Sequence, residues 1–394
     1  MVTIQILLLT IGFLLLTGVL LSKLSSYIGV PTLIVFLLLG LFFNGNHLIP
    51  HSIDVYTYIQ YISTFALIII MFFGGLDTNT KKMEPIIGKG TALATIGVLI
   101  TAISTGLFIN YFMGVNILIS LLIGSIISST DAAAVFSIFK SGKIRLKNNL
   151  AEILELESGA NDPMAYVLTI SLIDLIIHPT NTIEGIIILF IKSLVLGGIF
   201  GVISGKLSTK LTENVNLSVK GLYPVLLISI ATLTFSISEL AGANGFLAIY
   251  ISGIMIGNAK IFDEANLTFF EGFAWLMQVI MFLVLGLFIN YKTIFQDIGF
   301  SLVLAIILIL ISRPIAVFTT LIPFKMSFKE KTFLSWTGIK GAVPIVFATY
   351  PLVAGISQAP TIFHIVFFIT IISVVLQGGT IKFVARKLDL LTNE

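Results

Sequence analysis

The sequence predicts an all-α polytopic membrane protein with about thirteen transmembrane helices. Of its 394 residues, 57% are hydrophobic and 10% are charged, and the mean hydropathy is +1.09. Soluble domains carry about 25% charged residues, so this composition excludes a soluble globular protein. Apolar runs separated by short polar loops recur along the whole chain, as expected for helices that cross a bilayer. The chain contains no cysteine, which excludes disulfides, thiolate metal sites and cysteine nucleophiles.

The apolar segments are the candidate spans. The run at 3–22 has no basic region before it, so we predict a first span rather than a signal peptide. The other segments lie near 29–43, 58–73, 90–112, 116–139, 150–176, 183–206, 221–240, 242–257, 267–290, 299–322, 332–350 and 361–380. No linker or change of composition indicates a second domain. We therefore expect one membrane domain over residues 1–394 and no soluble regulatory domain.

Basic residues occur in every second loop, and this bias predicts the orientation of the protein. Eighteen lysines and arginines lie in the loops after odd-numbered segments, whereas the other loops hold Lys292 alone. The N-terminus is predicted outside and the C-terminus in the cytoplasm of a cell membrane, which requires an odd number of spans. The basic loop 140–149 is better explained as a cytoplasmic loop that sets the topology than as a nucleic-acid or lipid-binding patch.

The segment at 150–176 carries an unusual set of polar side chains inside an apolar run. The set consists of Glu152, Glu155, Glu157, Ser158, Asn161 and Asp162, followed by Pro163. Glu155, Ser158 and Asp162 share one helical face, and Glu157 and Asn161 share a neighbouring one. A carboxylate at the bilayer centre costs about 2.5–3.5 kcal/mol, so it should face a cavity or a partner. A solvated helix end would explain Glu152 and Glu155, but Asp162 lies about two turns deeper.

Two other segments are predicted to contain broken helices. Asp131 follows Ser128, Ser129 and Thr130 in the middle of an apolar run, and these hydroxyl side chains compete with the helix for backbone groups. The segment at 332–350 is interrupted by Gly338, Lys340, Gly341 and Pro344. These are the fifth and twelfth spans, seven apart, as expected for an inverted-repeat transporter in which span 7 links two six-span halves.

Arg313 lies near the middle of the eleventh span and cannot lose its proton, so it needs a buried anion or water. Glu157 is the best candidate, since its face is rotated away from that of Asp162. The alternative is that Arg313 binds only carbonyl groups freed by Pro314. Lys192 and Glu239 also lie within spans, and the sequence gives neither a role.

Four motifs resemble those of the monovalent cation:proton antiporters, in the NhaP-like branch of sodium (or potassium)/proton exchangers. They are Ser-Ser-Thr-Asp-Ala-Ala-Ala-Val at 128–135, Glu-Ser-Gly-Ala-Asn-Asp-Pro at 157–163, Gly-Gly-Leu-Asp at 74–77 and Trp-Thr-Gly-Ile-Lys-Gly-Ala-Val-Pro at 336–344. The resemblance covers nearly the whole chain. It implies a core domain around 90–176 and 299–380 with crossed broken helices in spans 5 and 12. A dimerisation domain would occupy 1–73 and 183–290, so we expect a homodimer in the lipid bilayer.

The resemblance also implies roles for single residues. Asp162 would bind Na⁺ or K⁺ and H⁺, with Ser158 and the Thr130 carbonyl as further cation ligands and with Asp131 and Asn161 beside them. Glu157 and Arg313 would form a structural ion pair in the core. Lys340, the cation in the broken helix, stands where the family usually has arginine, so the resemblance carries over no role for it. No cofactor is implied.

The residues favour exchange of Na⁺ or K⁺ for H⁺. Burial penalises the charged form of a carboxylate, so a proton and a cation would compete for Asp162. Asn161 leaves one carboxylate at this position, which predicts electroneutral exchange. A sodium-coupled solute symporter on the same fold remains an alternative, and an ion channel is a weaker one because no filter-like loop is present. An intramembrane aspartyl protease using Asp131 and Asp162 would need a Gly-x-Gly-Asp motif, which the chain lacks.

Overall fold

The computed structural model describes residues 4–28, 32–44, 53–131, 135, 139, 144–180, 182–215, 217–259, 262, 264–287, 289 and 294–392. Four of the basic residues used to predict the orientation lie outside this part of the chain: Lys140, Lys143, Lys260 and Lys292. Residues 132–134 and 136–138 of the predicted segment 116–139 also lie outside it.

Helices occupy almost all of the described residues. In chain order they are α1 (Ile4–Ile28), α2 (Thr32–Asn44), α3 (Ile53–Asp77), α4 (Thr80–Met113), α5 (Ile117–Ile126), α6 (Leu150–Ile177), α7 (Ile183–Asn214), α8 (Leu222–Leu240), α9 (Gly245–Asn258), α10 (Glu264–Leu287), α11 (Ile298–Thr320), α12 (Phe328–Trp336), α13 (Ala342–Val353) and α14 (Ala359–Lys387). Eight of the helices in the described part are long and apolar enough to cross a membrane. Shorter apolar helical stretches lie at 11–20, 34–43, 117–126, 245–258 and 342–353. The predicted all-α class is confirmed.

Local sequence explains several helix ends. Ser327 and Glu330 form a reciprocal capping box at the start of α12, so both side chains bond backbone amides. The Asn244 side chain accepts from the Leu247 amide at the start of α9. The helix α4 ends at Met113 and is capped by Gly114, whose φ of 68° lies in the left-handed region that favours glycine.

Paired glycines allow two helix crossings at very short distance. A Cβ atom on Gly40 of α2 would lie 2.9 Å from the Cα of Gly286 in α10. A Cβ atom on Gly75 of α3 would lie 3.1 Å from the Cα of Gly253 in α9. Small residues let helix backbones pack closely within a bilayer, where apolar side chains alone give little driving force. In span numbering, the first crossing joins spans 2 and 10, and the second joins spans 3 and 9. Spans 9 and 10 are the counterparts of spans 2 and 3 in the seven-span repeat, so the two crossings are equivalent to each other.

Three π-helical turns interrupt helices in the described part of the chain: Leu93–Gly97 in α4, Leu308–Ser312 in α11 and Val374–Gly378 in α14. The helices α4 and α11 are seven spans apart, so their turns agree with the inverted repeat. The turn in α14 has no counterpart in α6, which is α-helical throughout.

The two predicted helix breaks are present and cross each other. The helix α5 ends at Ile126, and residues 127–131 are not helical. The helix α12 ends at Trp336, and α13 begins at Ala342 after five non-helical residues. The backbone amide of Asp131 in the first break donates a hydrogen bond of 2.8 Å to the carbonyl of Ile339 in the second. The crossed broken helices therefore bring two irregular segments together inside the protein, where their free backbone groups can be satisfied.

Candidate site at the crossing of the broken helices

Lys340 joins the two breaks through its ammonium group. Its Nζ donates to the Ser129 carbonyl at 2.9 Å and to the Ser128 carbonyl at 3.2 Å, and the side chain is 1% exposed. These carbonyls follow the C-terminal end of α5, where helix carbonyls lack partners and the helix dipole is negative. A cation at this position therefore stabilises the end of the broken helix.

Asp131 lies beside the N-terminal end of a helix, whereas Lys340 lies beside a C-terminal end. Its side chain contacts the backbone of Gly341, just before α13 begins at Ala342, so the carboxylate lies near the positive end of that helix. A Cβ atom on Gly341 would lie only 2.5 Å from the Asp131 Cβ. Glycine is required here because the second break passes directly over the Asp131 side chain.

Asp162 lies in α6 beside the first break and is 7% exposed. The Ser129 hydroxyl donates a hydrogen bond to Asp162 Oδ1. The Thr130 and Ser158 hydroxyl oxygens are 3.0 Å apart, and the Asn161 amide donates to the Thr130 hydroxyl at 2.5 Å. The structure thus brings Asp162, Ser158, Thr130 and Asn161 into one cluster of carboxylate and hydroxyl oxygens, a donor type suited to hard cations.

A cavity of about 400 Å³ leads to this cluster. Asp162, Ser158 and Thr130 line it at one side, and the exposed residue Asp77 lines it near the surface. Further carboxylates on its wall belong to Asp131, Glu155 and Glu271. No lysine or arginine is among the described residues that line the cavity. Walls of one charge sign raise the local concentration of counter-ions, so this cavity favours the entry of cations.

Aromatic rings cluster one helical turn beyond Asp162 along α6. Tyr166, one helical turn further along α6, packs with ring-centroid distances of 4.9 Å to Phe246, 5.6 Å to Tyr350 and 5.9 Å to Phe347. Its hydroxyl donates to Glu239 at 3.1 Å. Asp162 is therefore accessible through the cavity on one side and is separated from the other end of α6 by this aromatic cluster.

Glu157 and Arg313 are in direct contact in the core. The distance between Arg313 Nη1 and Glu157 Oε1 is 2.6 Å, and the side chains are 3% and 0% exposed. Arg313 also donates to the Leu334 carbonyl at 3.4 Å. Gly338 in the second break leaves room for the guanidinium, since a Cβ atom there would lie 2.7 Å from Arg313 Nε. Neither Glu157 nor Arg313 lines the cavity.

Comparison with known proteins decides the family. The transmembrane sodium/hydrogen exchanger family matches residues 11–387. The chain belongs to the sodium/hydrogen exchanger family. It is 38% identical over 391 residues to the K(+)/H(+) antiporter NhaP of Alkalimonas amylolytica, covering 99% of this chain and 68% of that protein. It is 37% identical to the K(+)/H(+) antiporter NhaP2 of Shewanella oneidensis, covering 94% of this chain and 64% of that protein.

A solved structure has the same fold as this exchanger-family chain. The sodium proton antiporter MjNhaP1 from Methanocaldococcus jannaschii, determined at pH 8, matches with a TM-score of 0.83 and 24% sequence identity. The match covers 97% of this chain and 99% of that one. The resemblance read from the motifs and the predicted antiporter fold are thus confirmed. The chain spans about two thirds of the length of the two potassium/proton antiporters, 68% and 64%.

Several residues of the site escaped the sequence reasoning. Ser129 was seen as a helix breaker, yet its hydroxyl contacts the carboxylate of Asp162. Tyr250 reaches the cavity from α9 against Gly159, where a Cβ atom would lie 2.7 Å from the tyrosine Cζ. Glu271 and Gln278 of α10 also line the cavity. The signal for Gln278 was available, because it is a lone amide within an apolar run.

Proposed function

We propose that this chain is a secondary active transporter that exchanges a monovalent cation, Na⁺ or K⁺, for H⁺. The observation that carries the proposal is the position of Asp162. A single buried carboxylate stands at the end of an acidic cavity, among hydroxyl oxygens, where two broken helices cross. The family to which the chain belongs supports the same function and does not favour a sodium-coupled symporter.

Competition at Asp162 would couple the two ions. Burial penalises the ionised carboxylate, which is relieved either by a proton or by a cation. Ser158 and Thr130 supply oxygens close to Asp162 that replace part of the cation's water shell. Exchange follows if only a loaded site crosses between the two sides. Because residue 161 is asparagine, one carboxylate serves the site and one charge moves in each direction, so the exchange is electroneutral.

In the described part of the chain, the cavity that reaches Asp162 begins between the end of α3 and the start of α6. Lys81 and Lys82 in the first turn of α4 and Lys147 before α6 lie at this end. By the charge bias this side faces the cytoplasm of a cell in whose plasma membrane the protein resides. Movement of the core helices (around 90–176 and 299–380) against the scaffold helices (around 1–73 and 183–290) would open the other side. The scaffold would also form the homodimer.

Reconstitution tests the function directly. Purified protein in liposomes containing a pH-sensitive dye should show proton movement when Na⁺ or K⁺ is added outside, with each cation titrated separately. The variant Asp162→Asn should abolish this exchange while still inserting into the membrane. Asp174→Asn is the matched control, since Asp174 lies on the same helix, pairs with His178 near its end and does not line the cavity. Exchange by Asp162→Asn at the wild-type rate would refute the assignment.

A further inference from the structure

We propose that Gln278 of α10 is a cation ligand in the entry cavity and that its amide oxygen favours K⁺ over Na⁺. This inference rests on the proposed cation/proton exchange and adds a specificity residue to it. Gln278 lies on a scaffold helix, outside the motifs that mark the core of the site.

The first argument is the sequence around Gln278. Apart from Gln278, every residue between Trp275 and Leu287 is apolar or glycine. A polar side chain inside a membrane helix is unfavourable unless it has a partner, and it then marks a helix contact or a path for an ion. The sequence alone does not separate these two roles.

The second argument is that the Gln278 amide oxygen has no hydrogen-bond partner among the described residues. The side chain is 9% exposed, and its buried Oε1 accepts no hydrogen bond from any of them. Buried side-chain amides nearly always form hydrogen bonds, so an unpaired oxygen points to a partner outside the protein. Within the described part of the chain, no hydrogen bond to this oxygen links α10 to a neighbouring helix.

The third argument is where the side chain lies. Glu271, Trp275, Gln278 and Phe282 follow at spacings of four, three and four residues, so they share one face of α10, and all four line the cavity that reaches Asp162. A cation that enters between the exposed Trp275 and Asp77 therefore meets Gln278 on the wall of the path towards Asp162.

The chemistry of the amide suggests which cation benefits. An amide oxygen is a neutral dipole, with a weaker field than a carboxylate. Weak-field carbonyl oxygens replace the water shell of K⁺ readily, whereas the smaller Na⁺ holds its water more strongly. A single amide beside the acidic cavity wall should thus assist removal of water from K⁺ more than from Na⁺.

The test is Gln278→Met, which keeps the length of the side chain and removes the amide. The Michaelis constants for K⁺ and Na⁺ are measured separately in liposomes containing the pH dye. We expect the constant for K⁺ to rise about tenfold, the size expected for loss of one ligand to a charged group, and that for Na⁺ to change less. Met277→Leu is the control, because Met277 is a buried neighbour on α10 that does not line the cavity.

A second variant keeps the test possible if the first does not fold. Gln278→Glu keeps the shape and introduces a strong-field oxygen, so the ratio of the two constants should shift towards Na⁺. Unchanged ratios in both variants, with wild-type melting temperature and exchange activity, would overturn the role of Gln278 alone. Absence of exchange in the wild-type protein would instead overturn the proposed function on which the inference rests.

Discussion

Removing one member of the Glu157–Arg313 pair should destabilise the protein more than removing both. The pair is fully enclosed, with the carboxylate 0% and the guanidinium 3% exposed. Arg313→Gln leaves the Glu157 carboxylate without its partner in the core, and Glu157→Gln does the same to the guanidinium. Neither charge can reach water, since neither residue lines the cavity.

The geometry sets the magnitude of this effect. At 2.6 Å, two unit charges attract by about 6 kcal/mol for an effective dielectric constant of about 20. Removing the two ions from water costs several kcal/mol each, so the intact pair is close to balanced. Loss of one partner removes the attraction but leaves the desolvation cost of the remaining ion. Such an uncompensated buried charge destabilises proteins by about 3–5 kcal/mol. Replacing both by glutamine removes both costs together.

The assay is a double-mutant cycle on the melting temperature of the purified protein in detergent. Both single variants should melt well below the wild type, and Glu157→Gln/Arg313→Gln should recover part of the loss. The control is Asp389→Asn, which breaks an ion pair with Lys147 at 3.4 Å between side chains that are 82% and 36% exposed. Such surface pairs contribute about 0–1 kcal/mol. Additive losses in the double variant would show that Glu157 and Arg313 do not stabilise each other.

Three further predictions concern the exchange cycle and the crossing. Because Asn161 leaves one carboxylate at the site, an imposed membrane potential should leave the initial exchange rate unchanged; a strong dependence on voltage would contradict one-for-one exchange. If proton and cation share Asp162, the Michaelis constant for the cation should rise as pH falls, by about tenfold per pH unit in the steep limit. Activity would then be bell-shaped in pH, and a constant that stays flat on the acid side would indicate separate sites. Gly341→Ala should abolish exchange or lower the melting temperature, since its Cβ would overlap Asp131, whereas Gly12→Ala, with nothing within 4 Å, should do neither.

Periodicity and composition were sufficient to predict the fold class and the two helix breaks. The alternation of apolar runs and short loops predicted an all-α membrane protein, and the hydroxyl run before Asp131 and the glycines around Lys340 predicted the two breaks. These signals are local, because a membrane helix must satisfy its own backbone and any interruption appears in the sequence. That the two breaks cross was implied only by the resemblance to the cation:proton antiporters, and the hydrogen bond between Asp131 and Ile339 joins them in the structure.

Contacts between helices were harder to predict. The predicted pairing of Glu157 with Arg313 rested on the helical face of Glu157, which is rotated away from that of Asp162. The role of Lys340 could not be found in this way, because its partners are backbone carbonyls of Ser128 and Ser129. Carbonyls are present at every residue, so only the crossing of the chain decides which of them a lysine reaches. The same holds for Gln278, whose position on the cavity wall depends on the rotation of α10.

The arrangement of charges around the crossing gives a physical reason for obligatory exchange. Lys340 and Asp131 lie at helix ends of opposite sign, and the Lys340 Nζ donates to two backbone carbonyls. Glu157 is neutralised by Arg313. By formal charge, Lys340 and Arg313 together balance Asp131 and Glu157 around the crossing, which leaves the carboxylate of Asp162. An empty site would carry that negative charge into the closed interior, whereas a proton or one monovalent cation makes the site neutral. Since an uncompensated charge is unfavourable away from water, the empty state should not cross, and each crossing in one direction requires one ion of either kind.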